Sequence, residues 1–354
     1  MTHWYAMTPT ERRTAVESLG LPAYRAGQVS RHVFERHEFD ARDYSDLPAS
    51  ARDVVAEHLL PPLMTLVKEQ ISDRGRTVKC AWRLADGAVV ESVLMRYPRR
   101  DTLCVSSQAG CGMGCPFCAT GQGGLQRNLR MEEIIAQVAD AQLRLAKAAR
   151  PGRVDHVVLM GMGEPLANYG PVLTAIRSLV APSPDGWGLS ARGVTVSTVG
   201  LVPGIERLAG EGLPLTLAVS LHAPDDELRD ELVPVNRRFP VAQVLDAAWG
   251  YAKTTRRRVS IEYALIRDVN DQVSRAVALA RELRRRGDWT WAHVNLIPLN
   301  PTPGVMTAST PAAQARFVAA LEAAHVPVTL RDTRGRDIGG ACGQLSATLA
   351  PAVS

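Results

Sequence analysis

Thr102-Leu103-Cys104-Val105-Ser106-Ser107-Gln108-Ala109-Gly110-Cys111-Gly112-Met113-Gly114-Cys115-Pro116-Phe117-Cys118 joins an apolar run to a glycine-rich loop that holds three cysteines. The run over 102–106 reads as a strand, and the loop behind it as the exit turn of the first strand of a core. Downstream the pattern repeats. Strands are expected over 156–160, 194–197, 215–221, 259–266 and 291–298, with a further one over 326–330. Helical stretches over 131–148, 171–179, 243–253, 273–286 and 311–324 fall between them. Strand and helix in alternation mark parallel βαβ units. About six such units predict an α/β architecture, a partial (β/α)6-type barrel rather than a closed eightfold one. In such sheets ligands bind at the carboxyl ends of the strands.

Upstream the period differs. Thr8-Pro9-Thr10-Glu11 offers an N-cap, a Pro at the first helical position and a capping-box Glu, and Gly20 a stop. A second helix is expected over 23–37, with Val29, Val33 and Phe34 on one face, and a third after Asp46-Leu47-Pro48, carrying Val54, Val55, Leu59 and Leu60. Pro61-Pro62 ends this unit. From Leu63 the period is two, and strands over 65–71, 77–84 and 88–95 with turns at Asp73-Arg74-Gly75 and Asp86-Gly87 predict a small three-stranded meander. The expected organisation is an N-terminal helical unit over 1–62, a β extension over 63–96, a core over 97–336 and a C-terminal segment over 337–354.

Composition narrows the classes. The chain has 354 residues, 46% of them hydrophobic, and a formal net charge of +5, which suits a soluble globular protein with a large core. Six cysteines in so long a chain do not make a disulfide framework. No run of eighteen apolar residues occurs, and the start lacks a basic and apolar leader, so neither a membrane span nor secretion is expected and the cytoplasm is the expected location. Of 41 basic residues four are Lys (Lys68, Lys79, Lys147, Lys253) and the other 37 are Arg. Arg clusters such as Arg256-Arg257-Arg258 and Arg284-Arg285-Arg286 suit phosphate backbones, although codon bias on solvated faces would look the same.

The C-x3-C-x2-C spacing of Cys111, Cys115 and Cys118 brings three thiolates together, which suits zinc or an iron–sulfur cluster. A structural zinc wants a fourth ligand nearby, yet the next His downstream is His156. A four-iron cluster on three cysteines leaves one iron open to a cofactor. Polar and glycine residues recur where the expected strands end: Gly163 and Glu164 in Gly161-Met162-Gly163-Glu164-Pro165, then Ser197, then Ser220-Leu221-His222, then Asn300. Singly each also reads as a tight turn or a core histidine; together they share one rim. Cys342 lies in a glycine-rich loop near Arg331, Arg334 and Arg336, cations that favour a thiolate. Cys104 precedes the cluster loop and also reads as a small buried hydrophobe, the reading adopted for Cys80.

The three-cysteine loop resembles that of the radical S-adenosylmethionine superfamily, in which the open iron chelates the cofactor and reductive cleavage yields a 5′-deoxyadenosyl radical. Cys104-Val105-Ser106-Ser107-Gln108, Arg127-Asn128-Leu129, Gly161-Met162-Gly163-Glu164-Pro165, Ser220-Leu221-His222-Ala223-Pro224 and Ala341-Cys342-Gly343-Gln344-Leu345 together resemble the RlmN family over most of the chain. These are bacterial dual-specificity methyltransferases acting on adenine carbon 2 in 23S rRNA and in tRNA. The resemblance implies a [4Fe-4S] cluster on Cys111, Cys115 and Cys118 and two S-adenosyl-L-methionine molecules per turnover. It implies that Cys342 is the methyl-accepting thiol, Cys104 its resolving partner through a transient disulfide, and Glu91 the proton acceptor. An exposed carboxylate on a meander strand is the plain alternative for Glu91. Gly163, Glu164, Ser197, Ser220, Leu221, His222 and Asn300 map to cofactor contacts, with main-chain atoms at Gly163 and Leu221. The helical unit becomes an RNA-recruiting appendage, an external electron donor of flavodoxin type is required, and a monomer is expected. The related adenine carbon-8 family, which confers antibiotic resistance, shares the cluster and both accessory thiols. A metal-stabilised RNA-binding protein without catalysis is the more distant alternative.

Overall fold

The computed structural model describes residues 2–288, 290–331 and 333–346, so the last eight residues of the expected C-terminal segment lie outside the described residues. The helical unit comprises α1 (Pro9–Ser18), α2 (Arg25–Arg31) and α3 (Ala49–His58). Thr8 caps α1 through both bonds of a capping box: the Thr8 N–H donates to Glu11 at 2.7 Å and the Glu11 N–H to the Thr8 hydroxyl at 3.3 Å. A cap of this kind contributes about 1 kcal/mol. The second helix is shorter than expected, because the chain widens into a π turn at His32–Arg36 and stops at His37 in the left-handed region. His32 is buried there, stacked on Tyr44 at 3.9 Å, its ring nitrogens facing Glu38 and Asp46.

The meander is β1 (Met64–Ser72), β2 (Thr77–Leu84) and β3 (Val89–Arg96). It is no separate sheet. Strand β3 pairs antiparallel with β4 (Asp101–Cys104), so the extension continues the core sheet. The cluster loop is framed by β5 (Gln108–Gly110), α4 (Ala119–Gln122) and β6 (Leu125–Asn128), with β5 and β6 forming a two-stranded sheet. There follow α5 (Met131–Lys147), β7 (His156–Leu159), α6 (Tyr169–Val180), β8 (Val194–Thr198), α7 (Val202–Ala209), β9 (Thr216–Ser220), α8 (Asp226–Leu232) and α9 (Val241–Thr255). The chain continues through β10 (Val259–Leu265), α10 (Val273–Arg284), β11 (Ala292–Pro298), α11 (Pro311–Ala323) and β12 (Val328–Leu330).

Every strand of the ten-stranded sheet lies beside its neighbour in the chain, except that β5 and β6 leave it. From β4 to β12 all pairs are parallel, which requires a crossover helix between each two strands. Six βα units and a closing strand result, as the alternation predicts. The parallel strands carry near-continuous apolar runs, among them Val157, Val194, Leu217, Ile261, Val294 and Leu296, all fully buried, as sheets covered on both faces do.

Two devices complete the body. Arg12 of α1 reaches across to the Asp185 carbonyl at 3.0 Å with its guanidinium 4.4 Å over Phe34, and Trp187 beside it receives Phe34, His37 and Phe39, which seats the helical unit on the loop after α6. At the other side, residues 333–346 run as a strap from β12 back to the meander. Asp337 accepts from the Ser72 hydroxyl at 2.5 Å, the Gly339 carbonyl accepts from Lys79 at 3.1 Å and the Ser346 N–H donates to Glu91 at 3.1 Å. The strap spans the opening between the last parallel strand and the antiparallel extension.

Candidate active site

The cluster loop is fixed before any ligand enters it. Gly110 sits at φ +77°, where a Cβ would lie 2.0 Å from the Gly124 carbonyl oxygen, so the two arms of the loop close only on glycine. The Ser106 hydroxyl donates to the Glu91 carbonyl at 2.6 Å and accepts from the Met162 N–H at 2.9 Å, while Gln137 brackets the Ser106 backbone on both sides. Arg127 on β6 binds the buried Glu133 in bidentate fashion at 2.8 and 3.0 Å and also Asp86 of the meander turn. The loop is thereby tied to α5 and to the β extension together.

Above it lies a cavity with about 1000 Å³ of empty space, its open mouth included. Cys111, Cys115 and Cys118 line one wall. Gly163, Glu164, Ser197, Ser220, His222 and Asn300 line the strand-end wall, and Cys342 with Gly343 closes it from the strap. The rim motifs and the strap cysteine, spread over residues 163–342, meet in one chamber. Cys104 lines an adjoining smaller chamber with Cys342, Arg331 and Tyr97. Burial pushes the Cys104 thiol up to about 12, with Cys342 adding to the rise and Arg331 opposing it.

The strand ends explain each placement. Gly163 has φ +102°, and a Cβ there would stand 2.5 Å from the Gln108 Cβ. Glu164 is buried and accepts from the N–H groups of Val199 at 2.9 Å and Leu166 at 3.0 Å; burial outweighs these bonds and raises its carboxyl to about 7. His222 accepts from the Ala264 N–H at Nδ1, 3.0 Å, so its proton sits on Nε2, and its ring meets Phe117 edge-on at 4.9 Å. Burial first, and the Arg229 charge second, lower it to about 3, which keeps it neutral.

Two expected contacts stand apart. Leu221 does not line the cavity: its N–H donates to the Glu262 carbonyl at 3.0 Å and its carbonyl accepts from Arg229 at 2.9 Å, so its main chain is taken up within the protein. Glu91 is not an exposed carboxylate but a buried one, paired with Lys79 at 2.9 Å and covered by the strap at Ser346, outside the cavity wall. Glu262 and Arg229 escaped the sequence reading, and Arg331 was expected there only as a cation near Cys342. Glu262 is a buried carboxylate on β10 that lines the cavity and accepts from Ser260 and Asn295, each at 2.6 Å; a lone acid in an apolar strand was the available signal. Arg331 lines both chambers, half-buried, beside Cys342 and Cys104. Arg229, fully buried, gave no signal within an acidic helix.

The donors fit the groups that the superfamily carries. Among the described residues no three His, Cys, Asp or Glu are arranged to close on a single ion, whereas three free thiols on one wall suit a polynuclear sulfur-rich cluster. The Asn300 Oδ1 is buried without a partner while its Nδ2 donates to the Cys342 carbonyl at 2.9 Å, which leaves an acceptor for a polar ligand.

Residues 105–280 match the Radical SAM superfamily. A probable dual-specificity RNA methyltransferase RlmN of Cutibacterium acnes is 61% identical, over 98% of this chain and 88% of its own. That of Thermobifida fusca is 60% identical, over 98% and 95% respectively. The crystal structure of a radical SAM methyltransferase from Sphaerobacter thermophilus superposes with a TM-score of 0.93 at 43% identity, covering 98% of this chain and all of the other. With the thiol loop, the strand-end rim and the strap cysteine in one chamber, and identity of this order along the whole chain, the protein belongs to the RlmN family of radical S-adenosylmethionine RNA methyltransferases.

Proposed function

We propose that the protein methylates carbon 2 of adenine in 23S rRNA and in tRNA through an S-methylated Cys342. The observation that carries this reading is the meeting of Cys342 with the three loop thiols in one cavity, Cys104 lying next door. An amidine carbon is electron-poor and does not attack a sulfonium methyl, so the carbon has to arrive on a carrier. When bound, the [4Fe-4S] cluster and S-adenosyl-L-methionine supply a methyl cation equivalent in one use and a hydrogen-abstracting radical in the other.

Cys111, Cys115 and Cys118 would hold the cluster. Gly163, Glu164, Ser197, Ser220, His222 and Asn300 would hold the cofactor, Glu164 through its carboxylate and Gly163 through its main chain. Cys342 takes a methyl group on sulfur, gives up a hydrogen atom from that methyl, and adds the carbon to the base. Once the adduct has lost its carbon-2 proton and passed its unpaired electron to an acceptor, for which the bound cluster would serve, the Cys104 thiolate attacks the Cys342 sulfur and breaks its bond to the added carbon, which takes up a proton as the methyl group and leaves a disulfide; a thiol buried as deeply as Cys104 is kept in reserve until the strap shifts. Glu91 accepts the proton from carbon 2. Its present cover, Ser346, belongs to the strap that carries Cys342, so one displacement exposes both. The target base has to leave its stack to enter the cavity.

The helical unit over 1–62, with Arg side chains and aromatic residues on one appendage, recruits the RNA. The electron comes from an external flavodoxin-type donor, and the chain works as a monomer in the cytoplasm, where its substrates are; no helix of the described residues is long and apolar enough to cross a membrane. Nucleoside mass spectrometry of rRNA and tRNA from a deletion strain tests the reading. Loss of 2-methyladenosine from both supports it. A methyl group missing from carbon 8 instead transfers the chain to the related activity, and an unchanged nucleoside profile removes the function.

A further inference from the structure

Arg229 has no exposed surface. A buried charge costs several kcal/mol unless a partner of opposite sign offsets it, and among the described residues no carboxylate pairs with this guanidinium directly. Its bonds go to neutral oxygens: the carbonyls of Leu221 at 2.9 Å, Val199 at 2.6 Å and Ser220 at 3.1 Å, and the Asn236 amide oxygen at 2.8 Å. The acids stand one residue further out, where the Asn236 amide nitrogen donates to Asp226 at 3.0 Å and Asp230 at 2.7 Å. Toward the cavity, Arg229 binds the carbonyls of Val199 and Ser220, residues that line it together with Cys115. Cys115 packs in one buried apolar cluster with Leu228 and Leu232, the residues that flank Arg229 on its helix. A charge acting through so dry a medium is weakly screened.

We propose that Arg229 is an internal counter-cation for the iron–sulfur site: fixed by strand-end carbonyls rather than neutralised by a carboxylate, its charge stabilises the cluster form that holds one more electron. The inference rests on the cluster reading given above. Taking one electron from a low-potential donor adds one negative charge to the thiolate-held group without a proton, and a fixed cation nearby favours that form. Arg229 is thus a positioning residue acting by its field. Three of these four bonds also hold the ends of β8 and β9 together, so the test has to separate charge from stapling.

EPR-monitored potentiometric titration with dithionite, on anaerobically reconstituted full-length protein of known iron and sulfide content, makes that separation. Arg229→Met is expected to cut the reduced fraction at a fixed potential about tenfold, while Arg229→Lys stays within about twofold of the parent. Asp230→Asn removes an outer carboxylate, leaves the guanidinium and its bonds in place, and is expected to raise the reduced fraction by about twofold. Equal losses in the Lys and Met variants would reduce Arg229 to a staple and overturn the proposal. If Arg229→Met does not fold, Asp230→Asn decides, and an unchanged potential there overturns it. A parent protein without iron and sulfide would instead bring down the cluster reading itself.

Discussion

Two segments of this chain present cysteines to one cavity, and they are built in opposite ways. The cluster loop is enforced from all sides: Gly110 admits no side chain, Ser106, Ser107 and Gln108 are buried, and Arg127 ties β6 to Glu133 and Asp86. The strap is attached by polar bonds spread along its length, the Thr120 hydroxyl donating to the Leu345 carbonyl among them. Its carbonyls at Gly343 and Cys342 accept from Ala119 at 2.8 Å and Asn300 at 2.9 Å, Gln344 donates to the Pro301 carbonyl at 3.0 Å, and its only deeply buried apolar anchors are Ala341 and Leu345. The difference teaches how one site divides its tasks. A metal cluster needs ligands that do not move, whereas a sulfur with the role proposed for Cys342 has to travel, and travel requires bonds that are individually weak, each worth about 1 kcal/mol.

The largest expected effect separates the two segments outright. Cys118→Ala should lose both bound iron and all RNA methylation, whereas Cys342→Ala should lose methylation to background and keep its iron; colorimetric iron analysis beside nucleoside mass spectrometry distinguishes them, and iron loss in the Cys342 variant would erase the contrast. Next comes the resolving step. Cys104→Ala is expected to leave RNA covalently held on Cys342, visible as a nuclease-sensitive shift on a denaturing gel, and clean release would deny Cys104 its role.

A smaller effect probes the rigid side. Gly163→Ala forces a Cβ against Gln108 at a positive φ, and should destabilise the fold by about 1–3 kcal/mol in a denaturant titration while weakening cofactor binding. The smallest effect probes the weak side. Gln344→Ala removes one strap anchor worth about 1 kcal/mol, and should speed alkylation of Cys104 about fivefold without altering iron content. In the parent, Cys104 labelling should stay slow to about pH 10, since burial raises its thiol to about 12 and only the thiolate reacts. Equal labelling in variant and parent would mean that the strap is as rigid as the loop.

How legible these segments were in the sequence follows from the same physics. The parallel strands announced themselves because burial on both faces demands long apolar runs, and the loop because three cysteines at fixed spacing have few other uses. The framing strands β5 and β6 did not: they are three and four residues long, and their pairing depends on a glycine contact that no periodicity records. Helix α7 carries Pro203 and Gly204 in its first turn, and α8 reads as a charged turn, so both were missed. The rim residues were found at their strand ends, but the sequence could not show that Leu221 is consumed by Glu262 and Arg229, or that Glu91 lies beneath the strap. Those are facts of tertiary closure, decided by elements far apart in the chain.

The strictly consecutive order of the sheet has a consequence for the newborn protein. Each strand finds its partner already laid down, so the body can accrete as it leaves the ribosome, and the strap with Cys342 emerges after every strand of the sheet. A chain made only through Asn300 holds the loop thiols and the strand-end rim but still lacks Cys342, the sulfur proposed to carry the methyl group.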